Sequence, residues 1–347
     1  MKTALDSHKD KDDFAKLLQN CEILEGHTEV VFCVATVNGC LASGSEDNTI
    51  RLWNTERGEV EGVLNGHQGD VNSLVRLGNY LISGSEDDTI RVWDLATKEE
   101  VSVLRGHTGP VFCLAAVGNY LASGSEDQTI KLWNIESKEI VAVFEGHTDD
   151  INSLSVAGKQ LASGSSDTTI RLWNTETKQE VSVLRGHSDA VMCLETVGKY
   201  LASGSEDKTI RVWDLETKQQ VSILEGHTNS VICMTKLGNY LASGSDDSTI
   251  RLWNVEEKTQ EGVLKGHRDS VLCLTTIGGR LASGSGDKTV RVWGSEKWPE
   301  LSDESTRLPS PSYLGPEKEQ KKPWYLLLLP IVGLGILGFF AYKKYKA

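Results

Sequence analysis

Residues 120–134 read YLASGSEDQTIKLWN, and variants of this phrase recur seven times at a fixed 40-residue period. A Gly-His pair falls at 26/27, 66/67, 106/107, 146/147, 186/187, 226/227 and 266/267, and a Trp follows each at 53, 93, 133, 173, 213, 253 and 293. Around the quoted phrase lie four strand signals, VFCLAAV, YLASGS, TIKLWNI and, after ESK, EIVAVFEG. Alternation along the sequence and β-branched enrichment mark the strands, and SED with its variants supplies a tight turn. One such unit cannot bury its own apolar face and must stack on a neighbour, so the repeats predict a single large domain rather than several small ones.

A unit of this length, opened by Gly-His and closed by Trp-Asp or Trp-Asn, resembles the WD40-repeat family, and the resemblance covers about four fifths of the residues. It implies an all-β fold, a seven-bladed β-propeller of four-stranded antiparallel blades. The seventh copy ends at Trp293 with no fourth strand behind it. However, QNCEILEG (19–26) aligns with EVEGVLNG (59–66), a fourth strand standing before the first copy. Residues 19–25 are therefore expected to complete blade 7, which removes an open sheet edge and sets the propeller at 19–294.

The resemblance also implies a Trp-Ser-His-Asp network in every unit. Carried onto this sequence it comprises His27, Ser43, Asp47 and Trp53; His67, Ser83, Asp87 and Trp93; His107, Ser123, Asp127 and Trp133; and His147, Ser163, Asp167 and Trp173. The remaining sets are His187, Ser203, Asp207 and Trp213; His227, Ser243, Asp247 and Trp253; and His267, Ser283, Asp287 and Trp293. A buried indole N–H needs an acceptor, and hydroxyl, imidazole and carboxylate can chain to satisfy one another. Ser, His and Asp are also the parts of a hydrolytic triad. Seven equivalent triads with no nucleophile elbow or oxyanion hole point to structure, so no catalytic residues are assigned and the protein is read as non-enzymatic.

Functional information is expected where the repeats differ. The resemblance places ligand-facing slots early in the first strand and just before the network Asp. One slot reads Phe32, Asn72, Phe112, Asn152, Met192, Ile232 and Leu272. Two residues upstream it reads Val30, Asp70, Pro110, Asp150, Ala190, Ser230 and Ser270, and before the Asp it reads Glu46, Glu86, Glu126, Ser166, Glu206, Asp246 and Gly286. Met192, Ile232, Leu272 and Phe32 would form a continuous apolar arc, because blade 7 abuts blade 1. The mouth is thus partly apolar and acidic, suited to a protein or peptide segment bearing Lys or Arg. The alternative is that Arg51, Arg91, Lys131, Arg171, Arg211, Arg251 and Arg291, one per neighbouring strand, neutralise the rim acids.

The chain carries a net charge of −13, and residues 19–294 hold 24 basic and 39 acidic side chains. That excess argues against nucleic-acid binding through phosphates. Cys33, Cys113, Cys193, Cys233 and Cys273 share one slot that Ser73 and Ser153 fill elsewhere, which reads as small, buried and interchangeable. Equivalent slots on different blades cannot converge into disulfides or a metal site, and free thiols favour a reducing compartment. No metal, cofactor or small-molecule substrate is expected.

Outside the repeats, residues 1–18 are charged and read as a disordered leader, with no secretory signal. Residues 295–322, with Pro299, Pro309, Pro311 and Pro316, read as an extended linker. From Trp324 to Tyr342 there is no charge; aromatic residues mark both ends and lysines bracket the stretch. Residues 323–342 are therefore expected to form a transmembrane helix and 343–347 a basic tail, a C-terminal anchor with the propeller on the cytoplasmic side. The short helix and basic end favour the mitochondrial outer membrane in a eukaryote, or the inner face of the plasma membrane in a prokaryote. The functional expectation is a membrane-tethered scaffold that binds partners through its rim; the alternative is a substrate-recognition subunit of a regulatory complex such as a ubiquitin ligase.

Overall fold

A computed structural model describes residues 21–294. Each 40-residue unit folds as the alternation predicts: in the first, β2 (Val31–Val37), β3 (Cys40–Ser45), β4 (Thr49–Asn54) and β5 (Glu59–Asn65) pair in sequence order. Seven such four-stranded antiparallel sheets form the blades. Inner strands of successive blades touch one another around the ring, and β26 (Val271–Ile277) touches β2. The seventh sheet has the order β1 (Cys21–Leu24), β28 (Val290–Trp293), β27 (Arg280–Ser285), β26. Cys21 lies opposite Trp293 and Leu24 opposite Val290, so a strand from the start of the chain is the outer strand of the last blade.

Blades pack face to face through buried β-branched and leucine side chains. Leu24, Val31, Leu41 and Trp53 join Cys273, Ala282, Val290 and Val292 in one core across the closure. The fit explains the glycine in the SGS phrase. A Cβ on Gly44 would stand 2.5 Å from Val71 Cγ1 of blade 2 and 2.6 Å from Cys33 Sγ. Only a residue without a side chain lets neighbouring sheets approach this closely.

Two irregularities repeat in the ladders. Every inner strand bulges after its first residue: Val31 faces Ser45 and Cys33 faces Gly44, which leaves Phe32 as the extra residue. Six blades carry a second bulge between third and outer strands, as between Leu52 and Trp53. Bulges bend a strand and re-aim a side chain; the inner one turns the residues at 32, 72, 112, 152, 192, 232 and 272 into half-buried positions at one end. That end also carries the connections between blades and the turns between second and third strands.

The leader, the linker, the transmembrane helix expected over 323–342 and the basic tail lie outside the described residues. Among the described residues no helix is long and apolar enough to cross a membrane.

Candidate functional site

The network forms in every blade. Trp53 Nε1 donates to Ser43 Oγ at 2.7 Å, Ser43 Oγ meets His27 Nε2 at 2.7 Å, and His27 Nδ1 meets Asp47 Oδ2 at 2.8 Å. In the other six blades the Trp–Ser bond is 2.8–2.9 Å, Ser–His 2.7–2.8 Å and His–Asp 2.7–2.9 Å. Desolvation of the imidazole is the largest cause lowering His27, His187 and His227 below their ordinary value. With His neutral and Asp ionised, Nδ1–H donates to the carboxylate and Nε2 accepts the Ser hydroxyl proton, so each donor in the chain has one acceptor.

Asp47 ties the turn as well. Its Oδ1 accepts the Thr49 N–H at 3.0 Å, its Oδ2 accepts the Thr28 N–H at 3.2 Å, and its own N–H reaches Ser45 Oγ at 3.1 Å. Burial pushes these carboxyls up, but bonds from Thr and His outweigh it: Asp247, held by Thr249 and His227, falls to about 2. The seven network Ser side chains have no solvent exposure. A hydroxyl sealed in this way meets no substrate, which assigns the network to holding the inter-blade turn against the third strand.

The three rim slots converge at the end where the inner strands bulge. The N–H of Glu46 donates to Val30 O, and the same bond joins the equivalent residues of every blade at 2.9–3.1 Å. Glu46, Glu86, Glu126 and Glu206 are exposed; Asp70, Asp150, Ser166, Asp246 and Gly286 are half-buried. Acids gather across blade boundaries. Burial, a hydrogen bond shared with Glu86 and the charges of Glu86 and Glu46 push Asp70 up to about 6. Burial and the charges of Asp149 and Glu126 raise Asp150, and burial with Asp189 and Asp246 raises Glu206. Between blades 7 and 1, Lys288 pairs with Glu29 at 2.8 Å.

Of the seven cations proposed as an alternative to neutralise these acids, Arg91, Lys131, Arg171, Arg211 and Arg251 bond elsewhere. Arg91 and Arg171 pair with Glu100 and Glu180 of their own outer strands, and Arg211 and Arg251 bond Gln220 and Gln260 there. Blade 3 has Ile140 at that outer position, and Lys131 instead reaches Asp127 at 2.9 Å and Thr129 at 2.8 Å. The outer strand offers the nearer acceptor, so these bonds leave the rim acids aside.

The cysteine slot also does more than fill space. The thiols of Cys33, Cys113, Cys193, Cys233 and Cys273 point at the first inner-strand carbonyl of the next blade, Cys33 Sγ lying 3.2 Å from Val71 O. Blades 2 and 4 carry Ser there, and in both the preceding residue is Asn. Asn72 Nδ2 donates to Val111 O at 3.4 Å and Asn152 Nδ2 to Val191 O at 3.2 Å. Ser73 and Ser153 accept the N–H of Leu114 and Leu194 at 3.1 and 2.9 Å. Asn72 and Asn152 are thus engaged at blade seams. The bulge residue is apolar in the five blades where a thiol serves the seam: Phe32, Phe112, Met192, Ile232 and Leu272.

All seven cysteines are free, and among the described residues no group of three or more His, Cys, Asp or Glu side chains is placed to hold a metal ion. The sequence matches the family described as WD domain, G-beta repeat in seven segments, 18–54, 58–94, 98–134, 138–174, 178–214, 218–254 and 258–294. Each segment begins with the outer strand of one blade and ends with the third strand of the next, the offset by which β1 comes to close the ring. With seven matched segments, seven complete networks and seven blades, the chain belongs to the WD40-repeat family.

Proposed function

We propose that this WD40 propeller is a non-enzymatic, membrane-tethered scaffold whose rim holds a partner segment bearing Lys or Arg beside apolar residues. WD40 propellers commonly bind protein partners and are typically non-enzymatic; the charge preference and the tether are inferred from this chain's own residues. The observation that carries it is the crowding of acids at Asp70, whose carboxyl is pushed up to about 6 by burial and, after it, by Glu86 and Glu46. Acids crowded until they resist ionisation gain when a cation arrives. Met192, Ile232, Leu272 and Phe32 offer apolar area for the stem or a neighbouring side chain. The tether rests on the uncharged stretch from Trp324 to Tyr342 and places the rim at a cytoplasmic membrane face, where it raises the partner's local concentration.

The test is capture of Lys- and Arg-containing peptides from an array by the full-length chain in detergent. Phe32→Ala and Glu206→Lys should each weaken capture about tenfold, the size of one truncated anchor or one opposed charge. Capture should also weaken as pH falls through about 6, where Asp70 becomes neutral. Equal capture by wild type and both variants rejects rim recognition.

A further inference from the structure

The seam that closes the ring differs from the others on its outer side. Arg51 lies opposite Val63, and Trp53 opposite Val60; these four share the face of blade 1 on which Trp53 packs against Leu24 and Val290 of blade 7. In blades 2, 4, 5 and 6 the equivalent Arg is held by Glu100, Glu180, Gln220 or Gln260. Blade 1 has Val60 in that place, and among the described residues Arg51 makes no hydrogen bond or ion pair. Its half-buried guanidinium lies beside Gly26, where a Cβ would stand 3.2 Å from Nη1. Glu22 of β1, beside Gly58, faces Arg280 at 4.0 Å instead. A second filler is missing as well. Lys98, Lys178 and Lys258 each cross a seam to a carbonyl of the preceding outer strand, reaching Glu61, Val141 and Val221 at 2.9, 2.6 and 3.1 Å. At the closing seam that position is Gly58. The groove between β1 and β5 therefore holds an unpaired cation bordered by Val60 and Val63, which are 37% and 39% exposed.

We propose that this groove is the docking site of the chain's own leader, residues 1–20, with a carboxylate of Asp12 or Asp13 on Arg51 and Phe14 on the two valines. The chemistry matches: Asp12, Asp13 and Phe14 put acid beside an aromatic ring, as Arg51 lies beside Val60 and Val63. The reach also suffices. From Cys21 to Gly26 an extended strand covers about 17 Å, and from Asp13 to Cys21 the leader covers up to about 26 Å, enough to turn back to the guanidinium. A carboxylate joined to β1 by so short a tether has an effective concentration on the order of millimolar, which favours it over a separate acidic partner. Glu296 and Glu300 follow the last blade, but their segment begins on β28, one strand further inside than β1. A segment of the leader's composition orders only against a surface that pairs its charges. Docked there, it ties β1 to blade 1 at the one seam that no continuous chain crosses.

The experiment follows trypsin cleavage after Lys16 in the full-length chain, with cleavage after Arg307 as internal reference and a synthetic peptide of residues 1–20 as the undocked standard. The native chain should be cut after Lys16 at least about fivefold more slowly than the peptide, the protection expected of one half-buried charged hydrogen bond. Arg51→Gln should remove most of that protection, while Arg51→Lys, which keeps the charge, should retain much of it. Asp12→Asn/Asp13→Asn, read against a peptide carrying the same changes, should release Lys16 as fully as Arg51→Gln does. These leader changes lie outside the blades, so they test the contact even where Arg51→Gln loosens the fold. High salt should weaken the protection. Cleavage after Lys16 at the peptide's rate in the wild type overturns the proposal. So does protection that survives Arg51→Gln or the two leader changes, or that is lost only on Glu296→Gln/Glu300→Gln.

Discussion

At the scale of single residues, the network and the raised carboxyl of Glu195 respond to protons in opposite directions. His27, His187 and His227 are depressed below 6.5 and Asp247 below 3.8, so their stabilisation is present above those values and is lost as pH falls. Glu195 on the inner wall behaves inversely. Burial, only partly offset by Lys236, pushes its carboxyl up to about 7, so its contribution is full below 4.5 and is lost as pH rises through 7. Wild-type melting temperature should therefore fall gently between pH 7 and 4.5, as losses at the histidines are partly compensated by protonation of Glu195. In Glu195→Gln that share of the compensation is gone, leaving the part from Asp70, and the fall steepens by the equivalent of about 2 kcal/mol across that range. Parallel melting curves by circular dichroism would reject a raised Glu195. Of these groups the sequence made the Trp-Ser-His-Asp sets legible, because each repeats seven times. Glu195 occurs once, and its character comes from the neighbouring blade.

At the scale of the strand, the seam between blades uses two interchangeable chemistries. A Cys thiol donates to the next blade's carbonyl, or an Asn does so while the adjacent Ser accepts an N–H. Asn72→Phe alone should cost about 1 kcal/mol, the net worth of one hydrogen bond. Adding Ser73→Cys should restore most of it, since the pair recreates blade 1. Urea denaturation of the two singles and the double gives the coupling; additive costs would refute the exchange. The co-occurrence of Asn with Ser in blades 2 and 4 was visible in the sequence, yet its meaning was not. Which carbonyl a thiol or amide faces depends on the bulge and on the distance between sheets, neither of which leaves a periodic mark. Arg91, Arg171, Arg211 and Arg251 show the same limit. Strand pairing made the rim acids plausible partners, but the outer strand supplied better-placed acceptors at 100, 180, 220 and 260.

At the scale of the whole molecule, the ring depends on one short strand. β1 has 4 residues where most outer strands have 5–7, and it pairs with residues some 270 positions away. Leu24 and Leu264 occupy the same slot and are both buried, at 1% and 2% exposure. Leu→Ala at either site costs roughly 2–5 kcal/mol. We expect Leu24→Ala at the upper end, because loosening β1 also exposes the edge of β28, whereas Leu264 is held within a continuous chain. Equal losses in urea would show that closure is no weaker than any other seam.

The sequence by itself determined the blade number, the strand order, the strand that closes the ring and the members of every network, because each is written as a period or as its interruption. Folding into the ring decided where the rim acids meet across blade boundaries, how far Asp70 and Glu195 resist ionisation, and where Arg91, Arg171, Arg211 and Arg251 find their acceptors. Those properties arise between blades, from distances of a few ångströms joining residues about 40 positions apart or more, and burial and field strength at such distances are set by packing rather than by composition.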